Sequence, residues 1–267
     1  MESKTMPPNA ASLIVSKHVY PSNGGETKKR YGPTTTREAR MHTDTQLRSY
    51  EVVARRLDGS VFIGQDRAPA IPLFENAFSA FAHGTMIQTD KGDIAVEDLQ
   101  PGDLIVKSNG KTAPLVWVGS SSFVPADTGK RTPLVRTMAD SLGQGRPLGF
   151  LTFGPAARIL HTPSRLRGGE TSQQMLTLMR DLVDGVNIIE IMPPTPVRLY
   201  HLCLEKHAAI SVSGLEVETF HPGLNTLRHL PIHLRDKFLG LFPHIEREED
   251  FGPLAFPRAP DSLDDLL

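Results

Sequence analysis

Few residues of the chain have a type and spacing that could do chemistry, and most of those fail on context. His229 and His233 stand four apart, the separation that puts two metal ligands on one helical face. Pro231 lies between them and no glutamate accompanies them as in His-Glu-x-x-His, so no metal site is expected. Gly143-x-Gly145-x-x-x-Gly149 lacks both the spacing and the strand-loop-helix context of a dinucleotide loop. A Gly-x-Ser-x-Gly elbow is missing, which leaves a serine esterase without a nucleophile. The single cysteine, Cys203, is flanked by Leu202 and Leu204 and reads as a small buried hydrophobe. Alone it can form neither an internal disulfide nor a thiolate metal site, a composition that suits a reducing compartment. No cofactor is expected.

The elements that must position the remaining candidates are mostly strands. Tyr50 to Ala54 and Val61 to Gly64 flank Asp58-Gly59, a hairpin signal. From Gly84 to about Phe220, short apolar runs alternate with turn residues such as Asp90-Lys91-Gly92, Pro101-Gly102-Asp103 and Asn109-Gly110. Strands are expected at Thr85 to Thr89, Leu104 to Lys107, Leu115 to Val118, Gly149 to Phe153, Val186 to Ile191, Val197 to Leu204, Ala208 to Val212 and Leu215 to Phe220. Helical spacing is confined here to Gln173 to Val183, with Met175, Leu176, Met179 and Leu182 on one face. Leu227 to Phe242 is expected as a helix interrupted early by Pro231, and Glu246 to Leu267 as a mobile acidic tail. Residues 1–48 read as a flexible arm, 49–74 as a hairpin lead-in, 75–225 as the main domain and 226–267 as the helical segment with its tail.

Composition narrows the function classes. Lys and Arg total 29 against 30 Asp and Glu, a net charge of -1 that gives no general attraction for nucleic acid or an anionic membrane. The polar stretch Met1 to Ala10 is followed by no apolar signal core, and no run is long enough to span a bilayer. These features favour the cytoplasm and leave non-classical export open. With 22 Gly and 22 Pro the chain is turn-rich, which fits an all-β class.

One ordered set of motifs goes further. Ala80-Phe81-Ala82-His83-Gly84-Thr85, then Gly92, Val96-Glu97-Asp98-Leu99 and Gly102-Asp103, resembles the opening block of bacterial Hint (Hedgehog/intein) domains, which usually read Cys-Phe-x-x-Gly-Thr there. Trp117-Val118-Gly119, Pro155 with Arg158-Ile159-Leu160, and His201-Leu202 through His207 to Glu218-x-Phe220-x-Pro222-Gly223 continue the likeness in order, over about residues 78 to 224.

The resemblance implies a Hint fold and autoprocessing chemistry: a thiolate attacks the preceding carbonyl to give a thioester, while a Thr-x-x-His or Ser-x-x-His element orients the bond and protonates the departing nitrogen. That reaction needs a thiolate and an imidazole. Carried over, the nucleophile position is Ala80, the hydroxyl position Gly154 and the histidine position Ala157, so none of the three groups is present. The expected result is an inactive member serving as a binding or structural module, with its own flanking segments or an unidentified protein as partner. Ser79 and His83 are the weak surrogates, as nucleophile and base, for an alternative of residual autoproteolysis. A small-molecule hydrolase or binding protein on the same scaffold is the other alternative. Thr85, His201, His207 and Glu218 are retained family positions, and packing roles are expected for His201 and His207. Asn225-Thr226 resembles a splice junction, but Leu224 stands where the preceding histidine would be.

Overall fold

A computed structural model describes residues 46–124, 132–162 and 173–260. Residues 1–45 of the expected arm and 261–267 of the expected tail lie outside the described residues. In chain order the strands are β1 (Leu47–Arg55), β2 (Val61–Pro69), β3 (Phe81–Ala82), β4 (Met86–Thr89), β5 (Gly92–Ala95), β6 (Leu104–Val106) and β7 (Thr112–Phe123). There follow β8 (Leu134–Thr137), β9 (Leu151–Phe153), β10 (Arg158–His161), β11 (Met175–Leu178), β12 (Ile188–Ile191), β13 (Val197–Leu204), β14 (Ala209–Val212) and β15 (Leu215–Glu218). Two short α-helices complete the set, α1 (Pro72–Asn76) between β2 and β3, and α2 (Ile232–Leu239) after β15.

All described pairings between these strands are antiparallel. An eleven-stranded sheet runs β12-β8-β9-β3-β13-β7-β6-β4-β5, with β1 also on β7 and β2 on β1. A four-stranded sheet runs β11-β10-β15-β14. The spine of the eleven-stranded sheet is the long pair β7 and β13, in register from Val197 opposite Phe123 to Leu202 opposite Val118, with a bulge between Cys203 and Leu204. The fold is therefore mainly β, as expected.

The hairpin shows how alternation decides position. Tyr50, Val52 and Ala54 point inward from β1 and are buried, so that edge of the hairpin can lie on the sheet. Gly59 takes the left-handed φ of +84° and the Asp58 carboxylate accepts from Ser60 N–H and Oγ–H, which closes the turn. β1 then pairs with β7 from Tyr50 opposite Ser121 to Ala54 opposite Trp117, which makes the lead-in hairpin a part of the main sheet.

Two expectations are corrected. The segment Gln173 to Val183 is not a helix but β11 followed by a 3-10 turn, Met179–Leu182. Its apolar run Met175 to Met179 is short, and spacing alone cannot distinguish a strand from a helix at that length. The edge of β10 captures its backbone from Arg158 opposite Leu178 to His161 opposite Met175. The acidic tail is likewise anchored as far as residue 260. Phe251 is buried, and Leu176 N–H donates to Pro257 O at 2.8 Å while Ala259 N–H returns to Leu176 O at 2.9 Å. Apolar anchors spaced through a polar segment suffice to offset its ordering cost. Pro231 acts as foreseen: a 3-10 turn, Thr226–His229, ends before it and α2 starts after it.

Among the described residues two large apolar clusters fill most of the interior, beside two small ones around Leu134 and Leu176. The larger gathers Ala80, Phe81, Ile87, Leu115, Phe153, Ala157, Ile210 and Val217 between the two sheets. The other joins β1, α1 and α2 through Tyr50, Phe74, Phe78, Trp117, Phe220, Phe238, Phe242 and Phe251. Trp117 Nε1–H donates to Leu241 O at 2.8 Å, satisfying the indole as it packs.

Candidate functional site

The three positions carried over from the motif series, Ala80, Gly154 and Ala157, meet around one peptide bond. α1 delivers the chain through buried Phe78 to the Ser79–Ala80 link, and β3 begins immediately after it. Ala80 N–H donates to Tyr200 O at 2.9 Å, and Gly154 N–H donates to Ala80 O at 2.8 Å. Ser79 O accepts from Ala156 N–H at 3.0 Å, while Ala157 N–H closes the turn onto Gly154 O at 3.2 Å. A Cβ placed on Gly154 would stand 2.1 Å from Ser79 O and 2.6 Å from Ser79 C. The position assigned to a hydroxyl therefore has no space for a side chain while this backbone is kept. Ala80 and Ala157 are both fully enclosed in the larger apolar cluster. The hydrogen bonds made by Ala80 N–H, Gly154 N–H and Ala156 N–H hold this peptide bond in place.

The surrogates fall on either side. Ser79 Oγ is buried and has no hydrogen-bond partner among the described residues. It borders a cavity of about 270 Å³ shared with Asn76, Ser121 and Thr132. His83 is 63% exposed and its Nε2 stands 3.4 Å from Glu97 Oε1, whose other oxygen accepts Gly84 N–H at 2.9 Å. Gly84 has φ of +80°, the reason a glycine holds that turn. Thr85 is buried and its hydroxyl donates to Ala82 O at 2.6 Å, so it closes the turn that leads into β4.

Beside the junction lies a cleft of about 530 Å³, into which β13, β15, the loop after β15 and the tail contribute. His201 borders it from β13, edge-on to Phe81 and Phe220. Burial pushes its pKa down to about 3, so the ring is neutral at pH 7. His207 Nδ1 accepts Ala255 N–H at 2.9 Å, which places the ring proton on Nε2, 2.9 Å from Glu218 Oε1. Arg258 Nε–H donates to the same Oε1 at 2.8 Å, and Arg158 Nε lies 3.6 Å from Oε2. Burial opposes ionisation of Glu218, but the His207 hydrogen bond and the Arg258 guanidinium outweigh it and hold the carboxyl below its ordinary value. The histidine and the carboxylate are thus tied to each other and to the tail.

Sequence reasoning missed Arg258 and His221. His221 Nε2–H donates to Gly252 O at 3.0 Å and Nδ1 accepts Gly223 N–H at 3.0 Å. Burial lowers its pKa to about 4. His221 precedes the Pro222-Gly223 pair that closed the motif series, and that adjacency was the available signal. Arg258 had none, since it lies in a segment dominated by acids.

The other candidates lie apart from this cleft. Cys203 is enclosed in the aromatic cluster, where burial raises its thiol well above the ordinary value. His229 ends the 3-10 turn and His233 belongs to α2, so Pro231 divides the pair between two elements. Among the described residues no group of three or more His, Cys, Asp or Glu could hold a metal ion. Likewise, no described helix is long and apolar enough to cross a membrane.

Comparison with known proteins agrees with the motif series. The Hint domain family model matches residues 79–224, more than half of the chain. The chain belongs to the Hint domain family. Among solved structures, it is similar to a bacterial intein-like domain from Clostridium thermocellum, at 12% identity and a TM-score of 0.31, over 53% of this chain and 99% of that one. It is also similar to the MchDnaB-1 intein, at 16% identity and a TM-score of 0.29, over 53% of this chain and 100% of the other. No curated protein matches the chain.

Proposed function

We propose that this Hint domain no longer cleaves itself and serves as a binding or structural module, with its own flanking segments as the first partner. The reading is carried by Gly154, whose Cα packs so closely on Ser79 O that a side chain there would collide with the backbone. Loss of one nucleophile could be an isolated substitution. A site whose backbone has closed over the position of a missing partner has been repacked. The upstream chain supports the same reading, because β1 is hydrogen-bonded into the main sheet and Arg198 of β13 pairs with Glu51 and with Ser120 Oγ. An active domain of this kind would be cutting through its own core. Autoproteolysis through Ser79 is the weaker alternative, since its hydroxyl has no base bonded to it.

The test is the intact mass of full-length protein after prolonged incubation at about pH 7 to 8.5 with dithiothreitol or hydroxylamine, reagents that release thioesters and esters. A single species of unchanged mass is expected. Two fragments joined at Ser79–Ala80 or Phe78–Ser79 would overturn the inactive reading.

A further inference from the structure

We propose that the cleft beside the junction is a binding site for an oxyanion, carboxylate or phosphate, held by Arg180 and Arg258. This rests on the reading of the domain as a non-catalytic module and names the class of ligand its cleft would take.

The argument is one of charge in a confined space. Three guanidiniums, from Arg158, Arg180 and Arg258, border the cleft, and Glu218 is the one carboxylate among its described lining residues. Glu218 is already engaged, with Oε1 receiving His207 and Arg258 and Oε2 facing Arg158. The two histidines in the lining add no compensating or competing charge at pH 7, because burial keeps His201 and His221 neutral. A guanidinium stays protonated whatever its surroundings, so a cleft built this way remains positive at any physiological pH.

The geometry leaves donors available. Arg258 commits Nε to Glu218 and Nη2 to His221 O. Its Nη1 lies 3.5 Å from the point where a Cβ on Gly223 would stand, and both residues line the cleft. Arg180, in the 3-10 turn after β11, is 39% exposed, and its Nε stands 3.7 Å from the carboxylate of its neighbour Asp181. That contact is beyond hydrogen-bond length and leaves the fork able to meet a ligand. The cleft's volume of about 530 Å³ falls in the range of small-ligand sites.

The experiment uses the full-length chain, with citrate as the carboxylate probe and inorganic pyrophosphate as the phosphate probe, each against sodium chloride at equal ionic strength. Thermal unfolding and calorimetric titration are the readouts. At least one probe is expected to raise Tm above the chloride control and to titrate saturably, and the probe that does so identifies the source of the oxyanion. Arg180→Gln should weaken that binding by on the order of tenfold, since it removes one charge-assisted contact. Arg180 is 39% exposed and pairs with its neighbour Asp181, so this variant should fold even if Arg258→Gln does not. The proposal is overturned if neither probe exceeds chloride, or if Arg180→Gln and a folded Arg258→Gln both bind as the parent does. Intact mass measured on the same samples separates the two readings: a cleaved chain that still binds would remove the inactive assignment and leave the anion site standing.

Discussion

The two largest apolar clusters among the described residues are built from different parts of the chain and different kinds of residue. The larger is mostly aliphatic and drawn from the matched stretch 79–224, with Ile87, Leu115, Ile159, Ile210 and Val217 between the sheets. The other is aromatic and is assembled largely from outside it: Tyr50, Phe74 and Phe78 come from upstream, Phe238, Phe242 and Phe251 from downstream, and Trp117 and Phe220 form the wall between. In it Phe242 stacks on Trp117 at 4.7 Å and on Phe220 at 5.2 Å. The difference teaches that the family scaffold and the flanks are fused through a core of their own. Segments on both sides of the matched stretch form one wall of that core.

The largest expected effect comes from removing the centre of the aromatic cluster. Phe242→Ala should cost about 3 to 5 kcal/mol in urea unfolding, because it leaves a cavity among rings that cannot collapse far. It should also expose residues 46–78 and 232–260 to limited proteolysis ahead of the 80–220 region. If both regions become sensitive together, the clusters form a single cooperative unit and the comparison fails.

Gly154→Thr probes the seam between the regions, where β3 meets the loop before β10. The 2.1 Å approach to Ser79 O forces a backbone shift, and a loss of about 1 to 3 kcal/mol is expected by chemical denaturation. An unchanged stability would mean that the loop yields freely, and would reopen the chance of restoring the family's hydroxyl.

The smallest effect is a graded one with pH. His201 is held at about 3, and His221 and His244 at about 4, each by burial and all below the ordinary value of 6.5. Their folded pKa values are depressed, so the stability they contribute is complete above 6.5 and is lost as pH falls toward 4, where the unfolded chain takes up protons that the folded chain refuses. Glu218 acts in the same direction at lower pH, below its ordinary 4.5. Tm should fall by a few degrees between pH 7.5 and 6, with less of a fall in His244→Gln. A Tm that stays level down to pH 5 would contradict the burial of these rings.

Much of the scaffold was legible in the sequence where local signals and tertiary demand agree. β13 has the bounds expected for it, Val197–Leu204, because a long run of strand-forming residues ends at turn chemistry on both sides. Met175 to Leu178 was misread because helix and strand spacing coincide over so short a run, and the neighbouring edge of β10 decided the outcome. Ala80, Gly154 and Ala157 were singled out by motif order alone, and their gathering around one bond is visible only in the fold. The cleft's electrostatics were not legible either, since Arg258 reaches Glu218 only after the chain has travelled around α2 and been pinned by Phe251. No periodicity encodes a contact of that range.

The pairing of β1 with β7 carries one more consequence. Tyr50 to Ala54 are laced to Trp117 to Ser121, and aromatic rings from before and after the junction share one cluster. Were the chain ever cut at Ser79, the two pieces would already share a sheet and a core. The nick would produce a complemented pair of fragments holding one shape, with a new amino terminus buried at its centre, and size-exclusion chromatography would not see that anything had happened.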